Sequence, residues 1–279
     1  MHIGVSLPIR ELANDLIAIR DFAQQAEDLG LTHLRIPEQI LRPNSGYLHE
    51  SVTLLTWIAA HTKKIELVSS VIILPSRQTV LFAKQAAELD ILSGGRLRLG
   101  IGVGGSHEEY KFMGVDFHTR GRRCTEQIQL LKQLWTQNEV NFKGEFDAVN
   151  GAGLNPLPVQ RPIPIWIGAR GVPVQSVIKR IARHSDGWFN LASPNEFATV
   201  RDSIYEEAEA VGRSASELGI ESGVAVVGDR ENEWKERAIN WKKMGLTHLC
   251  LRTLGGGLEG NQHHHKLAQA IHEYPDEAR

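Results

Sequence analysis

Short apolar segments alternate with longer amphipathic segments along the whole chain. Parallel strands need a crossover connection, usually a helix, so this alternation predicts a parallel sheet covered by helices. We find eight such units in the 279 residues. Eight pairs favour a closed (β/α)₈ barrel, the TIM-barrel fold of the α/β class, over an open doubly wound sheet, which is expected to have a phosphate-binding glycine fingerprint after its first strand. The first predicted strand is followed by no such fingerprint.

The boundaries of these units follow from where the apolar pattern starts and stops. The predicted strands are His2–Pro8, His33–Glu38, Lys64–Leu74, Leu97–Gly104, Ile165–Ala169, Gly187–Ala192, Glu221–Gly228 and His248–Leu254. The predicted helices are Asn14–Leu29, Glu50–Thr62, Thr79–Leu92, Arg122–Thr136, Val172–His184, Asn195–Val211, Glu231–Met244 and Leu258–His272.

Length and composition limit the class of partner. The length suits one barrel, so we expect a single domain over residues 1–279. The 31 Lys and Arg residues nearly balance the 33 Asp and Glu residues, which argues against a nucleic-acid or membrane-surface partner and favours a small molecule.

The two cysteines, Cys124 and Cys250, do not form a disulfide framework. The N-terminal segment does not resemble a secretory signal, so we expect a cytoplasmic protein.

Two insertions interrupt the alternation. Residues Gly105–Gly121 separate the fourth strand from its helix at the barrel end where chemistry is built, so we interpret them as a candidate lid. Residues Glu139–Pro164 contain a hairpin-like segment, VNFKGEFDAV, and a proline-rich segment that we interpret as a stiff connector on the opposite face.

Glycines cluster after two predicted strands. The fourth strand ends in LGIGVGG, Leu99–Gly105, where glycines allow either close approach of a ligand to the backbone or tight packing. The fifth ends in IGARGVP, Ile167–Pro173, ahead of a helix whose first turn would include Pro173. Free N–H groups at that helix start, with Arg170 beside them, would suit a phosphate.

Several polar residues are candidates for catalysis. Glu38 and Gln39 follow the second strand, where barrel enzymes place catalytic groups, although a solvated carboxylate at the rim is the plainer interpretation of Glu38. His107, in the candidate lid, could exchange a proton near neutral pH. His263–His265 invite a metal site, but adjacent positions face different directions, so we expect exposed imidazoles and no metal.

Beyond these single features, three long segments and two short ones resemble the luciferase-like family of flavin and deazaflavin oxidoreductases, in the family's order. The long segments are VSSVIILPSRQTVLFAKQAAELDILSGGRLRLGIGVGG, EEYKFMGVDFHTRGRRCTEQIQLLKQLW and PLPVQRPIPIWIGARG, and the short ones are SDGWF and GLTHLCLR. The resemblance is strongest to the branch of coenzyme F420-dependent oxidoreductases.

This resemblance implies a luciferase-like barrel with insertions and a deazaflavin or flavin ring over the strand ends. It also implies a non-prolyl cis peptide behind the ring, at Ser70–Val71. Members of the family are commonly dimers, so a homodimer is compatible with the resemblance, and the sequence leaves the oligomeric state open. The cofactor-binding residues implied by the resemblance and by the glycine clusters are Ser70, Val71, Gly102, Val103, Gly104, Gly168, Ala169, Arg170, Gly171 and Val172.

The chain also departs from the family pattern. Gln39 stands where the sugar-phosphate dehydrogenases of the family have a catalytic histidine, and Gly105 stands where they have an active-site glutamate. Ser106 replaces a tryptophan that is frequent in the family. These substitutions argue against the sugar-phosphate reaction.

Three functions are compatible with these residues. The leading hypothesis is an F420-dependent oxidoreductase that transfers a hydride to or from a small organic substrate, with Glu38, Gln39 and His107 as the catalytic candidates. An FMN-dependent monooxygenase that uses oxygen is the nearest alternative. A non-catalytic flavin-binding barrel is the alternative from another class.

Overall fold

The computed structural model of the protein describes residues 1–41 and 47–279. In these ranges the strands are β1 His2–Ser6, β2 His33–Ile36, β3 Glu66–Ser69, β4 Ile72–Ile73, β5 Leu97–Gly102, β6 Val140–Lys143, β7 Ala148–Ala152, β8 Ile165–Ala169, β9 Gly187–Asn190, β10 Gly219–Ala225 and β11 His248–Arg252. The helices are α1 Ile9–Leu12, α2 Leu16–Asp28, α3 Ser51–His61, α4 Thr79–Ser93, α5 His107–Phe112, α6 Arg120–Thr136, α7 Gln175–His184, α8 Pro194–Ala210, α9 Trp234–Lys243 and α10 Gln262–His272.

Eight strands close into a parallel ring in the order β1, β2, β3, β5, β8, β9, β10, β11. β11 then pairs with β1, from His2 opposite His248 to Ser6 opposite Arg252. The predicted (β/α)₈ barrel is therefore confirmed, and each predicted strand contains or overlaps one strand of the ring.

Three predicted helices begin three or four residues later than the sequence pattern suggested, and one of them, predicted from Glu231, begins at Trp234. The helix predicted from Val172 begins at Gln175, because the backbone is still extended at Val174, its N-cap. Pro173 therefore precedes the N-cap, and its predicted place in the first turn is wrong. The helix predicted from Leu258 begins at Gln262, after a segment in which Gly255, Gly257 and Gly260 all have positive φ angles.

The candidate lid and the predicted hairpin are both ordered. β6 and β7 pair antiparallel, which confirms the hairpin. The lid segment contains α5 and is tied to the barrel, since Tyr110 donates a hydrogen bond to the Val103 carbonyl at 2.6 Å. Glu109 accepts hydrogen bonds from the backbone N–H groups of Ile40 and Leu41 at 3.2 Å. The candidate lid is therefore packed on the barrel in this structure.

The main apolar core lies between the ring and the surrounding helices. Inside the ring there is only a small apolar cluster of Val68, Trp166 and Phe189, with Val71 against it, among the described residues. The remaining interior positions are occupied largely by charged and small residues. This division places a polar interior directly beneath the strand ends where a site would form.

Candidate functional site

A cavity of about 160 Å³ lies at the carboxyl ends of the first, second, third and eighth strands of the ring. Ser6, Arg35, Ser70 and Arg252 contribute polar groups to its wall, and Leu7, Pro37 and Leu254 contribute apolar ones. We call this the mouth cavity. In α/β barrels this end of the strands is where active sites form.

The third strand bends beside the mouth cavity. β3 ends at Ser69, β4 starts at Ile72, and the Ser70–Val71 peptide between them is cis, which confirms the expectation drawn from the family resemblance. This bend explains why the single strand predicted over Lys64–Leu74 is divided in two. It turns the Val71 side chain toward the fourth and fifth strands of the ring.

The glycines at the ends of those two strands make room for Val71. A Cβ atom on Gly102 would lie 2.7 Å from Val71 Cγ2, and one on Gly168 would lie 3.0 Å from Val71 Cγ1. The 2.7 Å distance is shorter than real Cβ contacts, and the 3.0 Å distance is tighter than most of them, so a larger residue at either position requires Val71 to move. The sequence left open whether the glycines of this segment allow close approach of a ligand or tight packing. At Gly102 the missing side chain allows tight packing of Val71.

The remaining predicted cofactor residues lie around this bend. At Gly104, φ is +63°, and a Cβ atom there would lie 2.9 Å from Ile73 Cγ2. Arg170 and Val172 are exposed after β8. Val174, the N-cap of α7, has no side-chain hydrogen bond to that helix. The first-turn N–H groups of α7 thus lack a side-chain acceptor, and phosphate binding by this region stays a prediction.

Glu38 is neither solvated nor free at the mouth. Its carboxylate is about 1% exposed, pairs with Arg77 Nη2 at 2.5 Å and accepts a hydrogen bond from the backbone N–H of Ile73 at 3.2 Å. The interpretation of Glu38 as a solvated rim carboxylate is therefore wrong. Burial raises the pKa of Glu38, while Arg77 and the Ile73 N–H oppose that rise.

The other two catalytic candidates lie in different surroundings. Gln39 is half-buried in the segment after β2. His107 is exposed at the first turn of α5, where its ring stacks on Phe117 with the ring centroids 3.5 Å apart. Catalytic roles for Glu38, Gln39 and His107 stay predictions.

The barrel interior contains an ion-pair network that sequence reasoning missed. The Glu221 carboxylate accepts a hydrogen bond from Arg35 at 3.0 Å and another from Arg98 at 2.8 Å. Arg98 also pairs with Glu66 at 2.9 Å. Burial alone would raise the pKa of Glu221, but the neighbouring His33, Arg98 and Arg35 lower it well below its ordinary value.

Two histidines next to this network have lowered pKa values. Burial lowers the pKa of His33 although Glu221 lies 3.5 Å away. Burial, with Arg98 and His33, lowers the pKa of His248 to about 2. His33, Glu221 and Cys250 present possible metal-ligand atoms within 4.8 Å of one another. Both Glu221 oxygens already accept hydrogen bonds from guanidinium groups, however, so we interpret Glu221 as an ion-pair partner of Arg35 and Arg98 and not as a metal ligand.

The three consecutive histidines of the C-terminal helix differ in exposure. His263 is buried, with Nε2 3.0 Å from Glu11 and Nδ1 3.0 Å from Thr253 Oγ1. His264 is half-buried and His265 is exposed. The expectation of three exposed imidazoles is wrong for His263, because α10 packs its first turn against α1 and the segment that follows β11.

No helix in the described ranges is both long and apolar enough to span a bilayer. Cys124 and Cys250 are both buried, and neither is part of a disulfide.

Comparison with known proteins identifies relatives along the whole chain. The profile of the family described as luciferase-like monooxygenase matches residues 1–279. An uncharacterized protein of Mycobacterium tuberculosis is 32% identical over 224 residues, which cover 74% of this chain and 76% of the relative. A protein named F420-dependent glucose-6-phosphate dehydrogenase, from Kineococcus radiotolerans, is 34% identical over 209 residues, covering 72% of this chain and 60% of the relative.

Solved structures share the fold at low sequence identity. A monooxygenase from Streptomyces bottropensis has a TM-score of 0.82 with 18% identity and covers 98% of both chains. An F420-dependent secondary alcohol dehydrogenase, solved with an F420-acetone adduct, has a TM-score of 0.81 with 15% identity, covering 100% of this chain and 99% of the other.

Proposed function

The chain belongs to the luciferase-like monooxygenase family, and from that premise we propose that it is an oxidoreductase that uses coenzyme F420 to transfer a hydride to or from a small organic substrate. The bend at Ser70–Val71 carries the proposal, because it presents Ser70 to the mouth cavity while Val71 is held against Gly102 and Gly168. A planar ring over the strand ends would rest on this bend. The names of the relatives at 34% and 29% identity support F420 as the cofactor.

The residues around the bend have separable roles in this proposal. Ser70 and Val71 support the ring from behind. The phosphate-bearing part of the cofactor would lie against the ends of β5 and β8, at Gly102, Val103, Gly104, Gly168, Ala169, Arg170, Gly171 and Val172. When bound, F420 accepts or donates a hydride at its deazaflavin ring. The protein orients that ring and excludes water from it.

The substrate named for the glucose-6-phosphate dehydrogenases is not carried over to this chain. Gln39 and Gly105 stand where the family pattern of those enzymes has a histidine and a glutamate. Glu38, the neighbouring carboxylate, is engaged with Arg77. The acid–base chemistry of this site is therefore not assigned to the residue pair of those dehydrogenases.

Titration of the purified protein with F420 and, separately, with FMN tests the cofactor. We expect saturable F420 binding under nitrogen and reduction of the bound cofactor by an alcohol panel without oxygen. FMN binding together with oxygen-consuming turnover would instead assign the protein to the monooxygenases.

A substitution tests the role of the bend. Gly102→Ala should displace Val71 and weaken F420 binding by about tenfold or more, since a Cβ atom there would lie 2.7 Å from Val71 Cγ2. Gly121→Ala is the matched control, because Gly121 lies in α6, outside the proposed cofactor site, and the nearest atom to its Cβ position, Arg180 Nη2, is 3.3 Å away. Equal F420 affinity in both variants would remove the bend from the cofactor site.

A further inference from the structure

A second, larger cavity opens on the side of the barrel where β9 and β10 separate. The two strands pair only from Gly187 opposite Gly219 to Phe189 opposite Glu221. Beyond that point a cavity of about 390 Å³ lies against the end of β9, the middle of β10 and one face of α9. We call it the lateral cavity.

Arginines dominate the polar lining of the lateral cavity. Arg35 and Arg252 reach it from the barrel interior, and Arg230 and Arg237 reach it from α9 and the turn before it. Two glutamates, Glu233 and Glu236, also line it, but both are exposed. The cavity thus has twice as many guanidinium groups as carboxylates in its wall.

These arginines differ in whether a carboxylate neutralises them. Arg230 pairs with Glu233, and Arg35 pairs with Glu221. Over residues 1–41 and 47–279, neither Arg237 nor Arg252 forms an ion pair. The Nε atom of Arg252 is buried and has no hydrogen-bond partner in the same part of the chain.

The missing side chain of Gly223 brings two of the guanidinium groups to one point of the cavity wall. A Cβ atom on Gly223 would lie 3.4 Å from Arg252 Nε and 3.6 Å from Arg35 Nη2. The Glu221 carboxylate does not neutralise both Arg35 and Arg252, because one of its oxygens accepts a hydrogen bond from Arg35 and the other accepts one from Arg98. Burial lowers the pKa of Arg252, and the charges of Arg35 and Arg237 lower it further.

An uncompensated charge in such surroundings is costly unless an opposite charge arrives. Guanidinium groups bind carboxylate and phosphate through paired, charge-assisted hydrogen bonds. The lateral cavity therefore has the chemistry of an anion site, with room for more than the anionic group alone.

We propose that Arg35, Arg237 and Arg252 form the subsite that binds the carboxylate or phosphate group of an organic-anion substrate. Arg35 and Arg252 also line the mouth cavity together with Ser70. A molecule held by these arginines thus extends toward the Ser70–Val71 bend, where the ring lies under the proposed function. The assignment of this anion as the redox substrate rests on that proposed function, whereas the anion site itself does not.

Calorimetric titration with inorganic phosphate and with succinate, at an ionic strength held constant with sodium chloride, tests the site. We expect saturable binding of at least one of the two anions to the wild-type protein and none of glycerol. Arg252→Gln and Arg237→Gln should each weaken that binding by about tenfold or more, because each removes a charge-assisted contact. Trp241, which lines the cavity, provides a fluorescence readout of the same event.

Arg122→Gln is the matched control, since Arg122 is 65% exposed, pairs with Glu145 and lies outside both cavities. It should leave anion affinity unchanged. Wild-type affinity in folded Arg252→Gln and Arg237→Gln variants, or no saturable binding of either anion to the wild type, would overturn the proposal.

Titration of F420 into the same proteins separates this inference from the proposed function. Unchanged F420 affinity in Arg237→Gln, whose arginine lines the lateral cavity but not the mouth cavity, supports a substrate subsite, whereas an equal loss of F420 and anion affinity assigns the arginines to the cofactor and overturns it. Wild-type protein that binds phosphate through Arg252 but does not bind F420 would refute the proposed function and leave the anion site standing.

Discussion

At the scale of single residues, glycines allow groups from different strands to approach one another closely inside this barrel. Gly100, Gly102 and Gly168 face inward or toward the mouth, and each makes room for a group from another strand. At Gly100 the neighbour is the backbone itself: a Cβ atom would lie 1.8 Å from the carbonyl oxygen of Ser69. A neighbouring flexible side chain could move away from an added Cβ atom, but a carbonyl oxygen in the backbone of a strand cannot.

Gly100→Ala should therefore destabilise the protein by about 3 kcal/mol or more, or prevent folding. Urea unfolding followed by circular dichroism measures this loss. Gly105→Ala is the control, because nothing lies within 4 Å of its Cβ position, and it should change stability by only about 0.5 kcal/mol. Similar unfolding midpoints for the two variants would contradict the packing described for Gly100.

Glu38 illustrates how a residue at a catalytic position can be used for structure. Its carboxylate joins Arg77 to the end of β4. Glu38→Gln should lower the free energy of unfolding by about 1–3 kcal/mol, since a charged hydrogen bond in a buried place is lost. Glu108→Gln, at an exposed position of α5, should be neutral in the same urea experiment. Loss of turnover in Glu38→Gln with no loss of stability would favour a catalytic role instead.

At the scale of elements, one helix side chain binds the turn of the β6–β7 hairpin. Glu126 of α6 accepts hydrogen bonds from three consecutive backbone N–H groups, those of Glu145, Phe146 and Asp147, at 2.7–2.8 Å. An isolated two-stranded hairpin is marginally stable in water. The hairpin is therefore held in place mainly by its attachment to the barrel.

Glu126→Ala should release the hairpin, lower the free energy of unfolding by about 1–3 kcal/mol and expose residues 140–152 to protease. Limited proteolysis with mass analysis of the fragments measures the release, and Glu108→Ala is a control that removes an exposed glutamate. If the two variants are cut at the same rate and sites, Glu126 does not hold the hairpin.

At the scale of the whole molecule, the barrel interior makes stability depend on pH. His248 has a folded-state pKa of about 2, while a histidine in an unfolded chain has a pKa of about 6.5. Below that value the unfolded state binds a proton that the folded state does not. Stability from this group is therefore complete above about pH 6.5 and is lost as the pH falls below it. The lowered pKa of His33 acts in the same direction.

Between pH 7.5 and 5.5 we expect His248 alone to reduce the free energy of unfolding by about 1.4 kcal/mol. His248→Gln does not titrate in this range, so the loss measured by urea unfolding should shrink by that amount. His272→Gln, which changes an exposed histidine at the end of α10, should retain the wild-type pH dependence. An unaltered pH dependence in His248→Gln would show that this histidine is protonated in the folded barrel.

The amino-acid sequence by itself determined the eight alternating units and most of their boundaries, because apolar periodicity and glycine or proline stops act locally. It also located the glycine-rich strand ends and the Ser70–Val71 bend, the latter through family resemblance. Only the tertiary structure decided which residues share the interior. Arg35 and Glu221 are 186 positions apart, and Arg98 and Glu221 are 123 apart, so no local pattern marks their contact. For the same reason the sequence did not reveal that Gly102 makes room for Val71, or that Arg252 has no carboxylate partner. Both features depend on groups that only closure of the ring brings together.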